Sequence, residues 1–349
     1  MNWPVVAMPS VSYSPETNWS FGAGGSGFFR LPSDSLGRTS EVSFDGAWTL
    51  YRQWYVNASA QLYLTDRWQL RAKLSYRHYP DEYYGLGAFP NSESYKLGGH
   101  GVTMHLPISY TSKQFSFMAE PLYRAGGNNW VGGIFDLRYD AAGVRCPWLY
   151  ASFGPTYLLD SRDCLYFPRK GLFLKTQAQY ASLAFSDCTP GLDALNMGFR
   201  FTADFRQFFT LYHSTEEWKE LVLAYQLYAD VLYPMGSFYA PELMPTLGGQ
   251  DLLRGFHRGM YRDVAAFAAQ AELRIPIWKI FRADVFAGIG DISNFHHWTP
   301  PLVGYGLGLR CLFNQAGINL RFDVARNNVD RSWSELSSYS FYFTVKEAF

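Results

Sequence analysis

The sequence predicts an all-β fold, a transmembrane antiparallel β-barrel of about sixteen strands. Three observations carry that reading. Apolar and polar residues alternate with period two along almost the whole chain, as on a pleated strand whose two faces meet different surroundings. Charges fall inside nearly every alternating run, between large apolar neighbours, as lipid outside and a polar lumen inside require. Aromatic residues make up 18% of the 349 and charged residues only 17%, more rings and less charge than an ordinary soluble domain carries. Aromatic girdles at two membrane interfaces would use the rings.

Taken in order, the alternating runs place strands at Val5–Ser14, Trp19–Arg30, Glu41–Tyr51, Trp54–Thr65 and Trp68–Tyr79. The next are Gly98–Tyr110, Phe115–Arg124, Trp148–Arg162, Leu172–Leu183, Leu195–Phe208 and Glu220–Tyr233. The last five are Val264–Ile277, Arg282–Ile292, Val303–Phe313, Ile318–Ala325 and Tyr339–Phe349. Within Trp54–Leu64, for example, Trp54, Val56, Ala58, Ala60 and Leu62 alternate with Asn57, Ser59 and Gln61. Val131–Tyr139 is a further candidate, read as an extension of the seventh strand and its loop.

Barrels of this kind have short periplasmic turns and longer outer loops. Asp66–Arg67, Thr111–Gln114, the residues near Trp278 and Asn314–Gly317 are the short connections. By parity both termini lie in the periplasm, and Pro80–Leu97, Ala125–Pro147 and the stretch from Pro234 to Asp263 lie outside. That last connection is far longer than the ~2–5 residues of a hairpin loop, and long ordered loops are commonly functional. Its core, Gly248–Asp263, reads GGQDLLRGFHRGMYRD and is polar, glycine-rich and basic.

No apolar run approaches the ~18–20 residues of a spanning helix. Thirty basic and thirty acidic residues cancel, which gives no reason to invoke nucleic acid. Met1–Pro9 lacks a basic segment followed by an apolar one, so a secretory signal is expected to be already removed. A single domain over residues 1–349 is expected, with no periplasmic domain before the first strand.

With the strands placed, four stretches resemble the barrels of the BamA/TamA superfamily, of bacterial surface-antigen type. SYSPETN (Ser12–Asn18) is similar to the end of strand one and its turn, and DSRDCLYFPRKGL (Asp160–Leu172) to the turn joining strands eight and nine. LRGFHRGMYRD (Leu253–Asp263) is similar to the signature of loop six, and the chain ends in FYFTVKEAF. The resemblance implies that loop six folds into the lumen, with Arg254, Gly255 and Phe256 at its tip. It implies that Glu272, inward on strand twelve, receives Arg254, with Asp323 on strand fifteen as second choice. The strand-thirteen motif falls on Phe286, Gly288 and Gly290, with Gly288 where the family has an acid. Phe343, Val345 and Phe349 would form the C-terminal signal read by the barrel-assembly machinery. POTRA domains, usual in the family, are not expected within residues 1–349.

Gly22–Gly27 matches GxGxxG, but no helix follows it, so small residues on a curved strand explain it better than nucleotide binding. His296 and His297 fit a solvated outer loop, and His78, His100 and His105 have no acidic or cysteine neighbour at ligand spacing, so neither a metal nor a cofactor is expected. No serine–histidine pair is marked by a local motif. Lumenal charges such as Arg71, Lys73, Arg200, Asp204, Arg206, Asp230, Arg274, Arg310 and Arg321 pair across strands, or line a selective pore. A turn centred near Phe167 sets Cys146 opposite Cys188, a pair expected to form a disulfide on the outer side.

The expected role is that of a non-enzymatic barrel of the bacterial outer membrane, acting in outer-membrane protein assembly, secretion or lipid handling. It would be surrounded by outer-membrane lipid and would work with protein partners in a complex. The alternatives are a passive porin-like channel and a lipid hydrolase in the barrel wall.

Overall fold

Strands with two unlike faces and no edge to spare close on themselves, because unpaired backbone groups cannot be left in hydrocarbon. In the computed structural model sixteen antiparallel strands form one closed barrel, each paired to its neighbours in sequence. The structure describes residues 5–87, 96–97, 100–101, 108–144, 146–164, 167–185, 196–212, 214, 216, 219–236, 240–296, 301–312, 319–329 and 339–344. The first six barrel strands are β1 (Val5–Ser14), β2 (Asn18–Phe29), β3 (Ser40–Thr49), β4 (Trp54–Tyr63), β5 (Trp68–Tyr83) and β6 (Ile108–Gly126). They continue with β7 (Asn129–Asp140), β8 (Trp148–Asp160), β9 (Gly171–Phe185), β10 (Asn196–Tyr212) and β11 (Leu221–Pro234). The circuit ends with β12 (Ala265–Trp278), β13 (Phe281–Ser293), β14 (Leu302–Leu312), β15 (Asn319–Asn327) and β16 (Ser340–Thr344).

The expected number of strands stands, but two errors cancel in it. Thr111–Gln114 is not a turn. It lies inside β6, where Ser112 pairs with Tyr79 and Gln114 with Arg77. The expected strand Gly98–Tyr110 is not a wall strand: His100–Gly101 belong to a two-residue ladder with Lys96–Leu97, and only Ile108–Tyr110 enter β6. Val131–Tyr139, set aside as an extension, is a full wall strand, β7, paired on both sides. Ala125–Pro147 is therefore not one outer loop. A tight turn at Gly127–Asn128 joins β6 to β7 at the end that also holds Arg67, whose carbonyl accepts from Arg124 N. Gly126 and Gly127 have φ of 159° and 53°, and the left-handed value at Gly127 suits a residue without a Cβ.

Exposed aromatics gather near the strand ends. Trp68 meets Tyr123 edge-on at 5.3 Å and Trp278 stacks on Phe281 near one rim; Trp19 lies 5.4 Å from Tyr13 and 6.3 Å from Phe343 towards the other. Rings of this kind settle at the two interfaces of a bilayer. The seam is the least paired part of the wall: among the described residues β1 meets β16 only through Tyr13 and Phe343, whereas β15 and β16 share five pairs. Val345, Phe349 and Cys188 lie outside the described residues.

Candidate functional site

The lumen is where sequence and fold converge. The connection between β11 and β12, loop six, turns inward and closes a two-residue ladder of Thr246–Leu247 with Tyr261–Arg262. Leu247, Leu253, Phe256 and Tyr261 then pack with Ala266, Ala268, Ile292 and Leu302 of the wall. Phe256 stands edge-on to Tyr261, 5.4 Å between centroids. Polar wall side chains satisfy the loop backbone. Gln270 accepts from Leu253 N and donates to Asp251 O, and Arg321 Nη2 donates to Gln250 O at 2.8 Å.

Arg254 is 2% exposed. Its Nη2 lies 2.7 Å from Glu272 Oε2 and its Nη1 2.7 Å from Asp323 Oδ2. Asp323, the second choice from sequence, is thus as close a partner as Glu272, and the guanidinium spans two carboxylates on different strands. The guanidinium carbon sits 3.5 Å from the Phe286 ring centroid, so the charge also meets the negative face of an aromatic. Arg274 binds Glu272 Oε1 at 2.9 Å, Arg310 binds Asp323 at 2.6 Å and Asp284 at 2.7 Å, and Arg321 lies 3.2 Å from Asp323. Four guanidinium groups and three carboxylates therefore share one dry cluster, with side chains at most 1% exposed.

The acid not found at Gly288 is supplied by Asp284, two turns of the pleat earlier on the same inward parity. Sequence reading passed over it because it sits outside the motif, although Arg282 and Asp284 alternate inward as plainly as Glu272 and Arg274. Gly288 and Gly290 serve another purpose. A Cβ on Gly288 would come within 3.3 Å of Leu253 Cδ1, and one on Gly290 within 3.0 Å of Leu253 Cδ2. The two glycines form the floor on which Leu253 rests. On the next strand a Cβ at Gly304 would lie 2.1 Å from the Arg254 carbonyl oxygen, so the loop backbone touches the wall directly. Gly255 has φ of 102°, a left-handed value, and its amide donates to the Tyr342 hydroxyl at 3.3 Å. Its carbonyl accepts from Asn327 Nδ2 at 2.7 Å and Ser340 Oγ at 3.4 Å, so the tip reaches β15 and the last strand.

A second inward element meets the cluster from the opposite end. The turn between β8 and β9 buries Phe167, and the guanidinium carbons of Arg274 and Arg282 lie 4.6 Å and 5.0 Å from its ring centroid. Pro168 O accepts from Arg274 Nη1 at 2.9 Å. A continuous path of contacts then runs from Pro168 through Arg274 and Glu272 to Arg254.

The remaining candidates are placed apart from this cluster. Arg200 pairs with Asp230 at 2.7 Å and Arg206 with Asp204 at 2.5 Å on β10 and β11, the strands next to β12. Phe343 lies at the seam. Cys146 is buried and disulfide-bonded, and Cys311 is a free thiol on β14. His78 lies on β5 with its ring 6.1 Å from Trp54. Gly22 faces Gly46 across a close strand contact, its Cβ position 2.5 Å from Gly46 O, so the glycines of β2 answer to backbone packing. Among the described residues no group of three His, Cys, Asp or Glu side chains is arranged to hold a metal.

No curated protein sequence matches the chain. BamA from Haemophilus ducreyi lacking POTRA domains 1–3 has a similar structure, with TM-score 0.60 and 16% identity over 98% of this chain and 70% of that one. CdiB from Escherichia coli gives TM-score 0.61 and 13% identity, covering 99% of this chain and 62% of that chain. CdiB from Acinetobacter baumannii gives 0.59 and 13%, covering 97% and 58%. The chain thus spans less than two thirds of either CdiB chain, and at these identities the likeness is one of fold. The model of the Omp85 superfamily domain matches residues 35–349, and with most of its length so matched the chain belongs to the Omp85 superfamily.

Proposed function

We propose that this protein is a non-enzymatic barrel of the bacterial outer membrane that acts in the assembly, secretion or handling of outer-membrane protein or lipid, together with protein partners. One observation carries the reading: loop six crosses the lumen and is fastened there by Arg254 to carboxylates on two strands. A pore for passive solute flow gains nothing from an obstruction built with seven buried charges. A barrel that must stay closed until a client or partner engages it does. The contacts of Gly255 with Tyr342 and Ser340 support the same reading, since they join the loop tip to the strand that is least paired among the described residues. On this reading Arg254, Gly255, Phe256 and Glu272 form a latch, with Phe286, Gly288 and Gly290 as its seat, and residues 1–349 act as one barrel domain.

Two measurements test the proposal. Reconstituted in planar bilayers, the protein should conduct poorly and in brief openings, and Arg254→Ala should raise the conductance. Steady, large conductance in the unaltered protein would identify a porin instead. Purification from the native outer membrane under mild detergent should bring partner proteins in fixed ratio; a lone barrel would remove the complex from the proposal.

A further inference from the structure

Loop six covers only part of the lumen. Between it and the inner face of β5 lies a cavity of about 350 Å³ whose lining includes Lys73, Arg77, Tyr79, Tyr110 and Arg258. The cations here differ from those of the buried cluster. Among the described residues the side chains of Lys73, Arg77 and Arg258 form no ion pair, and the Arg77 Nε is buried without a hydrogen-bond partner. Some arginines elsewhere on the inner wall reach carboxylates at short range, as Arg138 does with Asp136 at 2.5 Å and Arg200 with Asp230 at 2.7 Å. A buried N–H left without a partner costs about 1–3 kcal/mol, more when the group is charged, so Arg77 calls for a counter-group, and the exposed Lys73 and Arg258 beside it add positive charge to the same cavity.

The cavity also holds Glu16, Asp81 and Glu242, but these are engaged by backbone. Glu16 accepts from Arg258 N at 2.9 Å, Asp81 from Glu82 N at 2.8 Å, and Glu242 from Val144 N. Asp81 stands four residues beyond Arg77 on the same strand, roughly 13 Å along it, and among the described residues the two form no ion pair. The geometry points to a binding site for a phosphate-class oxyanion between Arg77 and Arg258, with Lys73 drawing the charge in and the Tyr79 and Tyr110 hydroxyls facing the same space. The planar forks of two arginines match the tetrahedral oxygens of phosphate, and a dianion between them offsets the repulsion of like charges. Because Arg258 belongs to loop six and Arg77 to the wall, the anion also ties the loop to β5, on the side away from Arg254.

Isothermal titration of the full-length protein in detergent micelles, with inorganic phosphate and pyrophosphate, tests the assignment. One saturable site is expected, weakened about tenfold or more by Arg77→Gln and by Arg258→Gln, as the loss of a charge-assisted contact implies. Lys219→Gln, at an exposed pair on β10–β11, should leave it unchanged. Arg258 lies in the loop, so its variant retains the barrel even if Arg77→Gln folds poorly. A parallel titration with glucosamine 1-phosphate separates two sources of the anion: tighter binding than inorganic phosphate assigns the site to a phosphorylated sugar headgroup, equal or weaker binding to the free ion. No saturable binding by any of the three probes, or equal binding by the Arg258 variant, overturns the site.

Discussion

Arg254→Ala removes one guanidinium from a cluster of four guanidinium groups and three carboxylates, Glu272, Asp284 and Asp323. The variant leaves three of each, so no carboxylate is orphaned: Glu272 keeps Arg274 at 2.9 Å and Asp323 keeps Arg310 at 2.6 Å. Two charge-assisted bonds at ~1.5–3 kcal/mol each and a desolvated cation–π contact are lost. Against them stands the relief of no longer burying a cation, which offsets a good part. About 3 kcal/mol of net loss is expected. Glu272→Gln is different in kind. It leaves four cations facing two carboxylates, and an uncompensated buried charge costs about 3–5 kcal/mol. The carboxylate variant should therefore be the more damaging of the two, although the signature residue is the arginine. Barrel unfolding is best followed as a rate, so the assay is the half-time for loss of the fast-migrating folded form on gels at fixed elevated temperature. At ~1.4 kcal/mol per decade, Arg254→Ala should shorten it by about two decades where loop release precedes barrel opening. Limited proteolysis should then cut the loop near Arg258. Equal or greater loss in Arg254→Ala than in Glu272→Gln would refute the charge reasoning; an unchanged half-time and unchanged protection would remove the latch altogether.

Gly304→Ala should loosen the loop without touching a charge, because its Cβ would lie 2.1 Å from the Arg254 carbonyl; protease sensitivity approaching that of Arg254→Ala is the expected readout. Phe167→Ala should destabilise the barrel by about 3 kcal/mol, the lower range for a buried aromatic, and should also raise conductance by opening the lumen at the end opposite loop six. In the turn between β2 and β3 the Arg38 guanidinium hydrogen-bonding Asp34 holds its carboxyl below the usual carboxylate range. Its folded value is depressed, so the stabilisation is present at neutral pH and is lost as pH falls below about 4 through the folded value. Hydrogen exchange at the Arg38 amide, which donates to Asp34 Oδ2 at 2.8 Å, should accelerate over that range, and Asp34→Asn should abolish the pH dependence.

How much of this was legible in the sequence follows from what the alternation measures. It reports the contrast between lipid and lumen, so it is clear for β4, β10 and β12, which pass through the bilayer with unlike faces. It fails where a strand leaves the lipid. The part of β6 from Ile108 to Gln114 pairs with Arg77–Tyr83 at the outer end of β5, and there Thr111 and Lys113 face water, so a strand reads as a polar turn. β7 fails for a second reason. Its Gly132 and Gly133 interrupt the apolar alternation, and Gly132 lies where a Cβ would meet Pro121 O at 2.0 Å, a close strand contact of the kind that selects glycine. The Gly126–Gly127 pair ahead of it was the turn signal that could have separated β6 from β7. For the cluster, residue types on one parity named Glu272, Arg274, Arg310, Arg321 and Asp323. Which carboxylate meets which guanidinium depends on strand stagger around the barrel, and no local pattern encodes that. Lys73, Arg77 and Arg258 belong to the same class of information: two lie on one strand face, but the third comes from a loop 181 residues further on than Arg77.

The two kinds of fastening on loop six answer different physical demands. The apolar contacts of Leu247, Leu253, Phe256 and Tyr261 hold the upper part of the loop by burial, worth ~25 cal/mol per Å² removed from water and indifferent to small shifts in position. The ion pairs at the tip contribute far less net free energy, because desolvation of each charge cancels most of the attraction. They are, however, intolerant of displacement, since moving Arg254 leaves Glu272 and Asp323 facing two fewer donors. A loop secured this way has one position within the lumen and a modest cost for leaving it as a unit, provided water or another cation reaches the carboxylates when it goes. An all-apolar plug would instead expose its whole contact area on release. The arrangement therefore suits an obstruction meant to be displaced, and a double-mutant cycle can tell it from a permanent one. If Arg254→Ala and Glu272→Gln are coupled, the combined variant should be less damaged than the sum of the two, by more than ~0.5 kcal/mol; strict additivity would mean that the two side chains act independently and that the tip is held by packing alone.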